Sequence, residues 1–231
     1  MRIQIYHMGW LMDMVSAVIT AAGKNRRMID DLKLRGLEIN HKLLMDLQGK
    51  PVIVHTIENV LKSGVNNCVV VLGHYSDEIT VVLKNFPDNK VKIINNHDPN
   101  VELSQTLLNG VQNLESGLCL CVAADQPTIT SKTMRRLIEK VLQYKNPENI
   151  VSILARKKNG YLESVEGLGM PFVCHSKLLL KYLPNHADNL NPVLMEMILD
   201  GVVFYGTHPL NELELVNINR YKDYLYIKNR L

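Results

Sequence analysis

Short apolar runs alternate with helical patterns along most of this chain, and this alternation constrains the fold more than any other feature. Strand-like apolar runs occur at 15–20, 67–72, 91–95, 118–124 and 150–156. Between them, helical spacing is found over 52–64, 76–85, 103–114 and 131–144, whereas 29–40 is typical of a mobile loop or a short amphipathic helix. Helical crossovers connect parallel strands. The sequence therefore predicts a three-layer α/β/α fold with a mainly parallel, Rossmann-like sheet.

The chain has 231 residues, enough for one large α/β domain, and it contains no stretch with the composition of a linker. We therefore interpret 15–231 as a single domain. Residues 1–14 contain four methionines and match neither the domain pattern nor a signal peptide. We interpret them as an N-terminal extension and expect translation to start at Met12 or Met14.

Composition and charge argue against two classes of partner. A net charge of +3, without a basic run interleaved with aromatic residues, does not fit a nucleic-acid-binding protein. The longest apolar runs have the length of strands, so we expect no transmembrane helix and no membrane partner. The four cysteines lack Cys-x-x-Cys spacing and fall mostly in predicted strands, which is typical of reduced core thiols and favours a cytoplasmic protein: Cys68, Cys119, Cys121 and Cys174.

The first predicted strand ends in small residues followed by cations. Its continuation reads Ala21-Ala22-Gly23-Lys24-Asn25-Arg26-Arg27, and small residues at a strand end let the backbone approach a ligand closely. Exposed backbone N–H groups and guanidinium groups bind phosphate oxygens well. This segment is a candidate phosphate-binding loop, although a tight turn with solvated basic residues has the same pattern.

Two other polar segments follow predicted parallel strands, one after Asn95 and one at Asp125-Gln126-Pro127. Ligands bind beyond the carboxyl ends of strands in such sheets, so these segments and the loop at Gly23 are expected at one rim. Asp125 is either a turn residue before Pro127 or a ligand of Mg²⁺, which is commonly held by one or two carboxylates and the phosphates of the substrate. Its place opposite a phosphate-type loop favours the metal.

Several segments, in this order, resemble the MobA-like nucleotidyltransferases, which attach CMP or GMP to the molybdenum cofactor. They are 21–28, 42–51, 103–110, 125–127, 169–173 and 215–219, the last resembling the closing Asn-Ile-Asn or Asp-Ile-Asp strand of that family. The resemblance extends over 15–224. It implies the nucleotide-diphospho-sugar transferase fold and Mg²⁺-dependent transfer of a nucleotide with release of pyrophosphate.

The resemblance also implies which residues bind the nucleotide and assist catalysis. Arg27 and Lys42 match a basic pair that would face charge developing on the α-phosphate and on the departing pyrophosphate. With Asp125 they form the implied catalytic set. The implied nucleotide-binding residues are Ala21, Ala22, Gly23, Lys24, Asn25, Arg27, Lys42, Ser104 and Thr106.

The metal and acceptor sites are implied in the same way. Asp125 would hold Mg²⁺, with Asn217 or Asn219 as a second contact. The acceptor would lie against Gln126, Pro127, Gly169, Pro171 and Asp188. The implied partners are CTP or GTP, molybdopterin or the molybdenum cofactor, and molybdoenzymes or their chaperones.

Three positions depart from the family pattern. Ile29 and Glu102 stand where family members usually have glycine. The expected lysine, which normally follows within a few residues, does not occur until 14 positions after Met28. Lys33, inside this insertion, is the alternative to Lys42. Lys42 is preferred because it leads into Gly49-Lys50-Pro51 at the spacing of the family.

The nucleotide, the acceptor and the class of function each have an alternative. The segments 21–23 and 125–127 resemble cytidylyl enzymes, whereas 217–219 resembles guanylyl enzymes, so we expect CTP with GTP as the alternative. Sugar or polyol phosphates are alternative acceptors, and a non-catalytic nucleotide-binding or partner-binding scaffold is the alternative of another class. The chain lacks the glycines of both the dinucleotide-binding fingerprint and the P-loop, which argues against a dehydrogenase and a P-loop NTPase.

Overall fold

The computed structural model describes residues 15–84, 86 and 89–231. The strands are β1 (Val15–Ala21), β2 (Asp46–Leu47), β3 (Lys50–Pro51), β4 (Asn67–Leu72), β5 (Val91–Asn95), β6 (Leu118–Ala123), β7 (Ile150–Leu154), β8 (Gly160–Leu162), β9 (Phe172–His175) and β10 (Val203–Thr207). The helices are α1 (Arg26–Leu34), α2 (Val52–Lys62), α3 (Ser76–Lys84), α4 (Leu103–Gln112), α5 (Ser131–Leu142), α6 (Ser176–Tyr182), α7 (Leu190–Leu199) and α8 (Tyr221–Lys228). Short 3₁₀ turns include Lys42–Leu44 and Glu212–Leu215. The extension interpreted from 1–14 lies outside the described residues.

Eight strands form one sheet in the order β5-β4-β1-β6-β9-β7-β10-β8, and β2 pairs with β3 in a separate two-stranded hairpin. Strands β5, β4, β1 and β6 are parallel, as are β7 and β10. Strand β9 runs antiparallel to both β6 and β7, and β8 runs antiparallel to β10. The mainly parallel sheet confirms the predicted fold class.

Helices cover both faces of the sheet, which explains why the central strands are apolar throughout. Along β1, Ala17 and Ile19 pack into the core on one face with α1, α2, α3, α5 and α8. Val18 packs on the opposite face with α4, α6 and α7. In the part of the chain that the structure describes, no helix is both long and apolar enough to span a membrane.

Helix α4 packs against the sheet at Gly110, where the strands leave no room for a side chain. A Cβ atom at this position would overlap Val18 Cγ1 and would lie 2.9 Å from Val71 Cγ2. The close packing of α4 on β1 and β4 contributes to holding the N-terminal end of this helix near the carboxyl ends of these strands.

Two local expectations need correction. The helical part of the polar segment 29–40 begins earlier, at Arg26, because Met28 and Leu32 are four residues apart and both are buried against the sheet. The segment expected to be a closing strand, 215–219, is irregular: Leu215 ends a 3₁₀ turn, and the next four residues form no strand ladder. In this segment, Ile218 N–H donates a hydrogen bond to the Asp125 carbonyl oxygen at 2.9 Å.

Candidate active site

A pocket lies at the carboxyl ends of β1 and β6, at the rim that the strand pattern predicts. It has a volume of about 570 Å³. Of the residues proposed from the sequence, those that line it are Ala21, Ala22, Gly23, Lys24, Arg27, Lys42, Thr106, Asp125, Gly169, Asn217 and Asn219. One concave site therefore brings together residues from the phosphate-type loop, the insertion, the Asp-Gln-Pro segment and the C-terminal part of the chain.

The loop after β1 turns at Asn25. This residue has the left-handed conformation, with φ of 57°, and α1 starts at the next position. Its side-chain Nδ2 donates to the Asn40 carbonyl oxygen at 3.2 Å, and its Oδ1 accepts from Lys42 N–H at 3.4 Å. Asn25 is buried and lies outside the lining of the pocket. It joins the two ends of the insertion, which explains how Lys42 reaches the site despite its distant position in the sequence.

An ion pair crosses the base of the pocket. Lys42 Nζ lies 2.5 Å from Asp125 Oδ2, and both side chains are largely buried, with 13% and 14% of their surfaces exposed. The other carboxylate oxygen, Oδ1, accepts a hydrogen bond from Asn217 Nδ2 at 3.3 Å. Both oxygens of Asp125 are therefore oriented by side chains distant in sequence.

The pocket is lined by more cations than carboxylates. Arg27 lies in the first turn of α1 and donates from a terminal nitrogen to Asn219 Oδ1 at 3.1 Å. Lys24 lines the pocket beside it. Arg156 also lines the pocket and donates to the Leu215 carbonyl oxygen at 3.3 Å. This surplus of positive charge favours a polyanionic ligand.

His41 is a site residue that the sequence reasoning missed. It immediately precedes Lys42, lines the pocket and is only 4% exposed. Its Nδ1 accepts a hydrogen bond from Leu43 N–H at 3.3 Å, so the neutral ring carries its proton on Nε2. Burial lowers the pKa of His41 to about 4, and the nearby positive charge of Lys42 acts in the same direction. The imidazole is therefore neutral at pH 7. Its place beside an implied catalytic lysine was the one signal available in the sequence.

Two residues expected to bind the nucleotide differ in their surroundings. Thr106 lines the pocket, and its hydroxyl oxygen accepts from Asn96 Nδ2 at 2.9 Å, which leaves the hydroxyl hydrogen free to donate. Ser104 is fully buried outside the lining. Its hydroxyl donates to the His186 carbonyl oxygen at 3.2 Å and accepts from Asp188 N–H at 3.1 Å. The Ser104 hydroxyl thus holds the 186–188 loop through these two hydrogen bonds.

The residues expected to contact the acceptor are also divided. Gly169 lines the pocket, whereas Pro171, Asp188, Gln126 and Pro127 do not. The side chain of Asp188 is 57% exposed, and that of Gln126 is buried and hydrogen-bonded within the protein. The neighbouring residues that line this side instead are Leu168, Met170, Asn189, Leu190 and Asn191.

The side chains at the pocket fit a hard divalent cation held partly by its substrate. Among the described residues, no group of three or more His, Cys, Asp or Glu side chains is placed to hold a metal ion. Asp125 nevertheless presents a single carboxylate to a pocket rich in phosphate-binding groups. Mg²⁺ is commonly held by one or two carboxylates, water and phosphate oxygens, so the residues present fit this ion.

Comparisons with known proteins agree with this geometry. A family model described as "MobA-like NTP transferase domain" matches residues 17–196. A solved nucleotidyl transferase from Methanothermobacter thermautotrophicus is 41% identical, with a TM-score of 0.87 and coverage of 94% of this chain and 97% of that one. A Mycobacterium tuberculosis protein solved in complex with manganese shares the fold, with a TM-score of 0.62, 15% identity and coverage of 94% and 100% of the two chains.

A curated relative matches over a shorter region. The bifunctional protein GlmU of Streptococcus pyogenes is 29% identical over 148 residues, which is 63% of this chain and 32% of that protein. This chain therefore matches about a third of the length of that relative.

Proposed function

The chain belongs to the MobA-like NTP transferase family, and on that premise we propose that it transfers a nucleoside monophosphate from a nucleoside triphosphate to a phosphate-bearing acceptor. The acceptor phosphate oxygen attacks the α-phosphorus, the bond between the α-phosphorus and the bridging oxygen breaks, and pyrophosphate leaves. The donor we propose is CTP, and the acceptor is the terminal phosphate of molybdopterin. We propose that the protein carries out this reaction in the cytoplasm.

The convergence of Arg27, Lys42 and Asp125 on one pocket carries the proposal. These residues come from α1, from the turn after the insertion and from the end of β6, and all three line the same pocket. Two cations and one carboxylate at a strand-end rim are the groups that phosphoryl transfer needs, because its catalysis consists mainly of positioning and charge stabilisation.

The phosphates of the donor would lie along the loop that follows β1. Gly23 lines the pocket, and a Cβ atom there would meet no other atom within 4 Å, so the glycine is not required for packing. Its small size instead lets a ligand approach the backbone. Lys24, Arg27 and Lys42 supply positive charge to the triphosphate and to the departing pyrophosphate.

Asp125 would hold Mg²⁺, and Asn219, whose amide oxygen accepts from Arg27, is the candidate second oxygen ligand. When bound, the ion neutralises charge on the triphosphate and on the leaving pyrophosphate. Lys42 Nζ is hydrogen-bonded to Asp125 in this structure. A triphosphate that attracts the ammonium group would release this carboxylate oxygen for the metal.

The acceptor would approach from the side formed by Gly169, Asn189 and Asn191. Arg156 also lines the pocket, and its positive charge supports an anionic acceptor such as a phosphate. The attacking oxygen belongs to the acceptor, so no nucleophile from the protein is required. The role of the protein is to bring two anions together while it excludes alternative geometries.

The test is a pyrophosphate-release screen of the four nucleoside triphosphates with Mg²⁺ and molybdenum cofactor. We expect release with CTP, and we expect competition between CTP and GTP at equal concentration to give mainly the CMP product by mass. Predominant transfer of GMP would refute CTP as the donor and leave the reaction class in place. Release only with sugar or polyol phosphates would refute molybdopterin as the acceptor.

A non-catalytic scaffold is the competing function of another class. Glu102 lines the pocket where family members often have glycine, and this position favours the scaffold if its side chain blocks the nucleotide. Calorimetry separates the two. Absence of CTP and GTP binding would support a scaffold with a blocked pocket, whereas metal-dependent binding together with pyrophosphate release in the screen above would refute it.

A further inference from the structure

Gln126 follows Asp125 directly and lies beneath the pocket, where it is 1% exposed. Its side-chain Oε1 accepts a hydrogen bond from Ala123 N–H at 3.3 Å, and Nε2 donates to the Met170 carbonyl oxygen at 3.0 Å. A backbone N–H can only donate and a carbonyl oxygen can only accept. These two partners therefore determine which side-chain atom of Gln126 is oxygen and which is nitrogen.

The orientation of Gln126 determines the orientation of Asn217. Gln126 Nε2 donates its second hydrogen to Asn217 Oδ1, 3.2 Å away. The other amide atom, Asn217 Nδ2, lies 3.3 Å from Asp125 Oδ1. A flipped Asn217 would place two nitrogen donors face to face at Gln126 and two oxygen acceptors face to face at Asp125. Asn217 therefore presents an N–H group, and not its oxygen, to the carboxylate.

This hydrogen-bond chain holds the carboxylate of Asp125 in one direction. Oδ1 is oriented by Asn217, and the backbone of Asp125 is anchored by the bond from Ile218 N–H to its carbonyl oxygen. A group that orients a metal-binding side chain contributes to metal affinity without touching the ion.

Resting on the function proposed above, we propose that Gln126 is a positioning residue for the metal site: through the Asn217 amide it directs an N–H group at Asp125 and so orients the carboxylate toward the metal. Asn217 acts as a hydrogen-bond donor to the ligand and not as a ligand itself. Gln126 thereby links three segments of the site, the end of β6, the loop at Met170 that lines the acceptor side, and the chain after the 212–215 turn.

The substitution Gln126→Glu tests this chain of hydrogen bonds with little change in the shape of the side chain. It places an oxygen where Nε2 stands, so Asn217 must turn its NH₂ group to position 126 and its oxygen to Asp125. The measurement is the dissociation constant of CTP and of GTP by calorimetry, in EDTA and in Mn²⁺, using the nucleotide that the wild type binds more tightly. The dissociation constant in EDTA divided by that in Mn²⁺ gives the factor by which the metal strengthens binding.

We expect Gln126→Glu and Asn217→Ala each to lower this ratio about 10-fold, the lower end of what loss of a group supporting a metal ligand causes. The dissociation constant in EDTA stays unchanged. In the double variant the loss is no greater than in Asn217→Ala alone, because Gln126 acts through Asn217. Thr128→Val is the matched control, because it removes a buried hydrogen bond to the Leu213 carbonyl oxygen and none of the hydrogen bonds between Gln126, Asn217 and Asp125. We expect its ratio to equal that of the wild type.

An unchanged ratio in Asn217→Ala overturns the inference, and this half-buried position keeps the test valid even if Gln126→Glu does not fold. Additive losses in the double variant overturn it as well, because they show that Gln126 does not act through Asn217. If the wild type shows no metal-dependent binding of either nucleotide, the proposed function falls and the inference falls with it. Metal-dependent binding that is equal in wild type and variants removes the inference alone.

Discussion

Lys42 Nζ and Asp125 Oδ2 are 2.5 Å apart, although the two residues are 83 positions apart in the chain. The pair joins the end of the 29–41 insertion to the carboxyl end of β6. An ammonium group and a carboxylate that are both largely shielded from water interact strongly only in good geometry. Their contact at the pocket supports the proposal that Lys42, and not Lys33, is the cation of the site.

The first prediction concerns this lysine. Lys42→Met should lower kcat/KM for pyrophosphate release by about 10²-fold, the usual scale for loss of one group that stabilises charge in the transition state. Lys33→Met is the matched control, because Lys33 is exposed on α1 and lies outside the pocket. A larger loss in Lys33→Met than in Lys42→Met would show that Lys33 is the functional cation.

The second prediction concerns the carboxylate. Asp125→Ala should abolish turnover and leave the fold intact, because the side chain lies at the rim of the sheet and the triphosphate needs the ion that Asp125 would hold. Circular dichroism and a thermal melt check the fold, and pyrophosphate release checks turnover. Asp46→Ala, at an exposed position of β2, should retain activity. Full activity of the wild type in EDTA would contradict the metal assignment.

The third prediction compares adjacent arginines. Arg27→Ala should lower kcat/KM by about 10²-fold, because Arg27 lines the pocket and reaches Asn219. Arg26→Ala should have a much smaller effect, since Arg26 is exposed and lines a separate depression with His74 and Ser76. The pair is measured in one steady-state assay. The reverse order of severity would mean that the loop presents the other arginine to the nucleotide.

The fourth prediction is a pH dependence of stability caused by His41. Burial lowers its pKa in the folded protein to about 4, from 6.5 in the unfolded chain. Between these values the unfolded chain binds a proton that the folded protein does not, so the free energy of unfolding falls as the pH falls from about 6.5 to 4. The loss amounts to about 3 kcal/mol at the lower end.

Urea unfolding at pH 7, 5.5 and 4.5 measures this effect. His41→Asn removes the titrating group and retains an oxygen that can accept from Leu43 N–H, so its stability should depend less on pH over this interval. His97→Gln, at an exposed position, is the control and should behave as the wild type does. The same pH dependence in His41→Asn and wild type would contradict the prediction.

The alternation of short apolar runs with helical patterns was sufficient to predict most of the strands and helices in the N-terminal part of the chain. β4 and β5 begin and end where the pattern places them. β4 is almost entirely buried, as expected for a strand between two layers of helices, whereas β5 lies at the edge of the sheet and is partly exposed. The antiparallel β9 between β6 and β7 was not apparent, because a four-residue strand carries too little periodicity to be assigned locally. Helix α1 was only one of two alternatives, since its polar composition hides the two buried residues that hold it to the sheet.

The candidate site also has features that follow from the sequence and features that depend on the tertiary structure. The residue types at the rim follow from the sequence, since strand ends and turn residues are local features, and they place Gly23, Arg27 and Asp125 at one edge before any contact is known. Only the tertiary structure decided that Lys42 reaches Asp125 and that the Asn217 amide faces it with nitrogen. These outcomes depend on hydrogen bonds between groups 83 and 92 positions apart, whose geometry is set by the packing of whole segments and not by any local preference.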